Sequence, residues 1–232
     1  MGYSDAWLLT IIVGVISFIV QMRFRSKFKT YSEIGLLSGL SGAEVAERML
    51  RDHGITNVRV VAAEGSLTDH YNPADRTVNL SESVYYERTV ASAAVAAHEC
   101  GHAVQHARSY AWLSLRSALV PVINIASTLI QWTLFIGIML MVFARNPIVL
   151  LIGVIALAAV TIFSLITLPV EFDASKRALE WLNNNYNVMQ TQQEHDQAQD
   201  ALWWAAMTYV VAALGSLATL VYYASFLLNR RD

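Results

Sequence analysis

One stretch of the 232-residue chain combines residue types and spacing that can do metal chemistry, AAHECGHAVQH from Ala96 to His106. It spells H-E-x-x-H through His98, Glu99, Cys100, Gly101 and His102. Four residues of α-helix rise about 6 Å and turn slightly more than once, so the two imidazoles leave the same face. That makes a chelating pair for zinc, which takes imidazole nitrogen and, in catalytic sites, keeps three protein ligands and a water. A Glu between the histidines can accept the proton of that water, which makes Glu99 the candidate general base. A pattern with three fixed letters also occurs on ordinary surface helices. Here, however, the preceding TVASAAVAA is small and apolar and suits a buried helix. A buried helix that carries three polar groups needs something to satisfy them, and a metal is one answer.

The helix that must position these groups is expected from Thr89 or Val90 to His106. His106 is not counted as a ligand. It lies eight residues from His98, about 12 Å along the axis, and a straight helix cannot bring its first, fifth and ninth side chains to one tetrahedral ion. His53, His70 and His195 are isolated in sequence and read more readily as structural. Cys100 is the single cysteine; it sits about 200° round the helix from His98, where packing is its simplest role.

Upstream, Ser41, Gly42, Ala43 and Glu44 form a capping-box signature, and GAEVAERMLRDHG has helical apolar spacing before a Gly stop. A helix from about Gly42 to His53 follows. Val58–Val61, Leu67–Tyr71 and Thr77–Leu80 read as short strands, with a turn at Asn72, Pro73, Ala74 and Asp75. Such strands can offer an edge to an extended peptide substrate or simply form a hairpin over the motif helix, and spacing leaves both open.

Composition supplies the surroundings. Apolar residues make up 55% of the chain and charged ones 15%, with a mean hydropathy of +0.41. That balance favours a small soluble part joined to membrane elements. The net charge of -2 and the lack of a basic face argue against nucleic acid as a partner. Ala6–Met22 reads as a retained anchor, followed by Arg23, Arg25, Lys27 and Lys29; the positive-inside rule then puts the N-terminus outside and the motif on the cytoplasmic side. Ala118–Val170 is too long for one span and is broken at Ala144, Arg145, Asn146 and Pro147, which predicts a two-span hairpin. Ala201–Leu228 gives a fourth span. Four spans that start outside also end outside, whereas Arg230 and Arg231 favour the cytoplasm; the first helix is taken to dominate.

A third ligand must come from outside the motif. In LPVEFDASKRALEWL, Leu168–Leu182, Glu171 follows Pro169 at the end of the third span. Two spans separate it from His102, so the chain returns to the same side and Glu171 can reach the histidines. The same carboxylate could instead mark a helix end or pair with Lys176 or Arg177.

Taken in order, GAEVAERML, LTDHYNP, TVNLSESVY, AAHECGHAVQH, PVEFDASKRAL and AAMTYVVAAL resemble the bacterial YugP-like neutral zinc metallopeptidases, and more distantly the HtpX-like and CAAX-processing membrane proteases. The resemblance spans about Gly42 to Leu214. It implies a membrane gluzincin with Zn2+ as cofactor, His98, His102 and Glu171 as ligands and Glu99 as catalytic base. In the distant relatives an Asp follows the third ligand by four residues; here that position is Ser175, and the nearby acid is Asp173 on another helical face. Asp173 and Ser175 are therefore both candidates to support the histidines. His70, from LTDHY, is a further candidate for the metal's surroundings or for the oxyanion; Tyr71, Tyr85 and Tyr186 have suitable chemistry, but spacing does not choose among them.

The expected architecture is mainly α: an integral membrane zincin with about four transmembrane helices and a small α+β cytoplasmic part. Its parts are an anchor at 1–26, a soluble zincin-like part at 27–117, a transmembrane hairpin at 118–170, a helix and connector with the third ligand at 171–200, and a last span at 201–232. The expected activity is zinc-dependent hydrolysis of peptide bonds near the cytoplasmic surface of a bacterial cell (inner or plasma) membrane. A catalytically silent zinc-binding scaffold or adaptor in a larger protease assembly is the alternative, and a hydrolase of lipid-linked substrates a third reading. Expected partners are the lipid bilayer and a peptide or membrane-protein substrate, with a homo-oligomer or a membrane-protein partner left open.

Overall fold

The computed structural model describes residues 3–228. The chain is mainly helical: α1 (Tyr3–Ser32), α2 (Gly42–Asp52), α3 (Glu82–Tyr86), α4 (Val90–Ala107), α5 (Ala111–Ala144), α6 (Ile148–Asn183) and α7 (Gln192–Leu228), with strands β1 (Arg59–Ala63), β2 (His70–Asn72) and β3 (Thr77–Ser81). The described residues fall into two compact units; residues 3–21, 115–168 and 208–228 form one, and Met22–Ser114 and Pro169–Met207 the other.

The first unit is built from apolar helix. The helices α1, α5, α6 and α7 are each long and apolar enough to cross a membrane. Large side chains such as Phe18, Ile125, Trp132, Phe135 and Ile155 are exposed, an apolar surface far larger than a water-soluble domain tolerates. Inside the unit, Leu134, Leu150 and Leu157 form the buried cluster, with Leu220 and Phe226 packed against it. Gly137 lets the hairpin close: a Cβ there would stand 2.5 Å from the Leu150 backbone, the close approach small residues permit between helices in lipid. The turn falls at residues 145–147, where Arg145 has φ +50 and Asn146 Oδ1 accepts from Ile148 N at 3.0 Å. Arg230 and Arg231, on which the topology argument turned, lie outside the described residues.

The second unit has an aqueous-type core. Val45, Met49, Val78, Leu80, Val84, Ala94, Cys100, Leu182 and Met189 are buried in one cluster. In α2, the expected capping box is present, with Ser41 Oγ accepting from Glu44 N and Glu44 accepting from Ser41 N. The sheet order is β1-β3-β2, with β1 parallel and β2 antiparallel to β3. The strand expected at Leu67–Tyr71 begins only at His70, because Leu67 takes a left-handed φ of 59 and Asp69 turns inward to accept from Ser81 N and Oγ. The short helix α3 was not anticipated; its SESVYY has the β-branched and aromatic content of a strand.

Several ties fix the site's helices. Thr89 and Ser92 make a reciprocal cap that starts α4. The chain after α1 runs alongside that start, with Val90 N donating to Ile34 O at 3.0 Å and Leu36 N to Arg88 O at 2.8 Å. Lys27 and Tyr31, at the end of α1, reach Asp200 of α7 at 2.9 and 2.6 Å. Glu194, at the start of α7, accepts from Leu37 N, Gln190 N and Thr191 N.

Candidate active site

All the groups of the site lie in the second unit. The motif helix α4 is Ala-rich, with Val90, Val95 and Val104 its only β-branched residues, so other helices can come close. Gly101 makes the closest approach: a Cβ built there would lie 2.5 Å from the Ala174 carbonyl oxygen and 3.1 Å from its Cα. The absent side chain lets α6 lie directly on α4. Glu171 and Ser175, three residues before and one after Ala174, are thereby delivered to the histidines.

His98, His102 and Glu171 form a group whose potential ligand atoms all lie within 4.8 Å of one another. Glu171 Oε2 stands 3.3 Å from His98 Nε2 and 3.6 Å from His102 Nε2. Charge-assisted hydrogen bonds are shorter, about 2.7–2.9 Å. A tetrahedral zinc with bonds of about 2.1 Å sets its ligand atoms about 3.4 Å apart. The spacing therefore suits a shared cation better than a direct ion pair. The outer nitrogens agree. Nδ1 of His98 is 3.1 Å from Ser175 Oγ, and Nδ1 of His102 is 3.0 Å from Gln105 Oε1. With Nδ1 engaged on the outside, Nε2 of each ring can present its lone pair inward. The donor set, two imidazoles and a carboxylate, is one zinc accepts, so the residues present fit the metal.

The electrostatics are those of a negative pocket. Burial alone would push the His102 imidazole down, but the Glu171 carboxylate beside it, helped by Glu99, holds its pKa above the usual 6.5. Glu99 shares the motif's turn and is 8% exposed. The Cys100 thiol is pushed well up by burial and by Glu99. It faces Ala46 O on α2 at 3.5 Å and packs.

Other candidates are placed as follows. The two cations nearest in sequence are engaged elsewhere: Lys176 meets Glu180 at 3.6 Å, and Arg177 meets Asp173 at 2.6 Å. Ser175 touches His98 directly. Asp173 touches neither histidine; it accepts from Gln105 Nε2 at 2.8 Å. His70 is exposed on β2 with Nδ1 2.7 Å from Thr68 O and is not one of the three grouped residues. His106 pairs with Tyr71 Oη at 2.7 Å and is also outside the group. Tyr85 meets Tyr86 edge to face, and Tyr186 meets His195 in the same way. Sequence reasoning missed Gln105 and the role of Gly101. Gln105 was findable: three residues after His102 on a helix, it shares that face.

Comparison with known proteins agrees with the geometry. The family described as "Putative neutral zinc metallopeptidase" matches residues 6–228. The chain belongs to this family. It is also 43% identical over 224 residues to the "Putative membrane protease YugP" of Bacillus subtilis (strain 168), covering 97% of each chain. No solved structure matches. The match runs through all the apolar helices as well as α4, so the four candidate spans are as much part of the family's sequence as the motif. A zinc metallopeptidase of this family contains the grouped His98, His102 and Glu171 as the set that can hold its metal.

Proposed function

We propose that the chain is a multi-pass zinc endopeptidase of a bacterial cell membrane, in which His98, His102 and Glu171 hold the metal and Glu99 is the general base. The observation that carries this reading is the convergence of two Nε2 atoms on one carboxylate oxygen, each at tetrahedral-edge distance from it, with Glu99 in the same helical turn. Zinc bound there supplies Lewis acidity toward a water and toward a carbonyl oxygen. The chain's own groups do the rest. Glu99 takes a proton from the attacking water and returns it to the nitrogen of the leaving amine. Ser175 holds the His98 ring in place, while burial of His102 and Glu171 keeps bulk water from competing.

The substrate main chain is assigned to the outer edge of β2, the strand that pairs with β3 on one side only among the described strands. Tyr71 ties that strand to α4 at His106, one turn past His102. A peptide added there gains backbone hydrogen bonds without a demand on its side chains. The proposed substrates are membrane proteins or misfolded segments close to the cytoplasmic surface. The basic run Arg23, Arg25, Lys27 and Lys29 after the first apolar stretch supports that side, and the place of Glu171, only three residues beyond the last residue, Leu168, of the apolar unit's α6 segment, supports closeness to the membrane surface. The proposed organisation keeps an anchor, a zincin-like part, a hairpin, a ligand-bearing helix and a last span.

The test is Glu99→Gln in the purified full chain. It should keep its zinc and lose cleavage of casein or a model peptide by at least about 100-fold, the lower end of a general base's contribution. Cleavage at the wild-type rate would remove Glu99 from the mechanism. Cleavage absent from the wild type as well would favour the scaffold reading.

A further inference from the structure

We infer that Gln105 is a positioning residue that fixes both the tautomer of His102 and the register of α6 against α4. Its side chain is fully buried and makes three hydrogen bonds. Nε2 donates to Val170 O at 2.8 Å and to Asp173 Oδ2 at 2.8 Å, and Oε1 faces His102 Nδ1 at 3.0 Å. The two groups facing Nε2 are a backbone carbonyl and a carboxylate, both acceptors, so the amide has only one satisfactory orientation. Oε1 must then face the ring, and His102 must carry its proton on Nδ1. The lone pair is left on Nε2, the nitrogen aimed at Glu171. Among side chains only an amide combines two donors with an acceptor in this way.

The same three bonds measure distance. Val170 immediately precedes Glu171, so one bond of Gln105 grips α6 next to the third ligand while another grips the imidazole of the second. Asp173 closes the arrangement from outside. Its carboxylate accepts from Arg177 Nε at 2.6 Å and Nη2 at 3.3 Å, one turn further along α6. Arg177 holds Asp173, Asp173 holds the Gln105 amide, and the amide holds His102. The amide stands between the Asp173 carboxylate and the imidazole, so the group that touches His102 is neutral. This division answers the substitution of Ser175 at the position where distant relatives carry an Asp: Ser175 serves His98, and Asp173 reaches His102 through Gln105.

The inference rests on the metal reading only for its affinity arm. Gln105→Leu and Asp173→Ala would be made in the full chain, and zinc affinity measured by competition with a chelator. Nitrogen chemical shifts of His102 would be read in the metal-free protein at pH 9. Removal of a hydrogen-bond partner behind a ligand costs about 10–100-fold in metal affinity. Gln105→Leu should weaken zinc by that factor and move the His102 shifts from one tautomer to a mixture. Asp173→Ala, which removes no contact to any ligand, should weaken zinc by about 3–10-fold, below that range because Val170 O still holds the amide. Wild-type affinity together with unchanged His102 shifts in Gln105→Leu would overturn the inference; if that variant does not fold, the same null result in Asp173→Ala would. Failure of the wild type to bind zinc would overturn the metal reading instead, and the metal-free shifts would still decide the role of Gln105.

Discussion

Gly101→Ala offers a sharp test of how the site is assembled, because two effects of opposite sign meet there. Alanine stabilises a helix interior by about 1 kcal/mol relative to glycine. Against this, the new methyl carbon would sit 2.5 Å from the Ala174 carbonyl oxygen and 3.1 Å from Ala174 Cα. The contact is with backbone in the middle of a helix, so no side chain can rotate away. An ordinary carbon-to-oxygen contact needs about 3.3 Å, so α6 must retreat by nearly 1 Å. Overpacking of this kind costs about 1–3 kcal/mol, which leaves a net loss of roughly 0–2 kcal/mol. The effect on the metal should be larger. Zinc sites tolerate errors of about 0.2 Å in ligand distance, and Glu171 moves with α6 while His98 and His102 stay on α4. We expect the melting temperature of detergent-solubilised Gly101→Ala to fall by only a few degrees while zinc affinity drops by at least about 10-fold. Chelator competition and thermal melting on the same preparation separate the two. A variant that binds zinc as tightly as the wild type would refute the argument that close α4–α6 packing sets the ligand geometry.

Two further outcomes follow from the structure. His102 has its folded pKa raised above 6.5, so in metal-free protein its contribution to stability is complete below pH 6.5 and is lost as the pH rises through the folded value. Zinc must displace that proton, and apparent zinc affinity should therefore climb from pH 6 to 8; the gap in melting temperature between zinc-loaded and metal-free protein, measured across that range, should widen, and a narrowing gap would contradict the assignment. Thr89→Ala removes the side-chain half of the cap on α4 and should destabilise the protein by about 1 kcal/mol, read as a lower denaturation midpoint; an unchanged midpoint would mean that the adjoining chain at Ile34 and Leu36 already holds the helix start.

Local features were readable from the sequence because their causes are local. The H-E-x-x-H helix, the Ser41–Glu44 box and the hairpin turn at Arg145 each depend on residues within a few positions of one another. The third ligand was different. Spacing left Glu171 free to pair with Lys176 or Arg177, and only packing shows those cations engaged with Glu180 and Asp173. Gln105 was hidden for the same reason, since two of its three partners come from α6, 65 and 68 positions away. The parallel placement of β1 against β3 could not be read from strands too short to encode their neighbours. Apolar runs marked the spans but not the helix ends: α5 begins at Ala111 and α7 at Gln192, well before the apolar stretches, because amphipathic and capping residues extend a helix that hydropathy alone would stop.

Three residues from two helices, His98 and His102 of α4 and Glu171 of α6, are proposed to hold the metal. Elemental analysis of the purified full chain, wild type beside Glu171→Ala, tests that assignment most directly. One zinc is expected per wild-type chain and far less than one in the variant at the same zinc concentration. A full equivalent of zinc retained by Glu171→Ala would contradict the assignment.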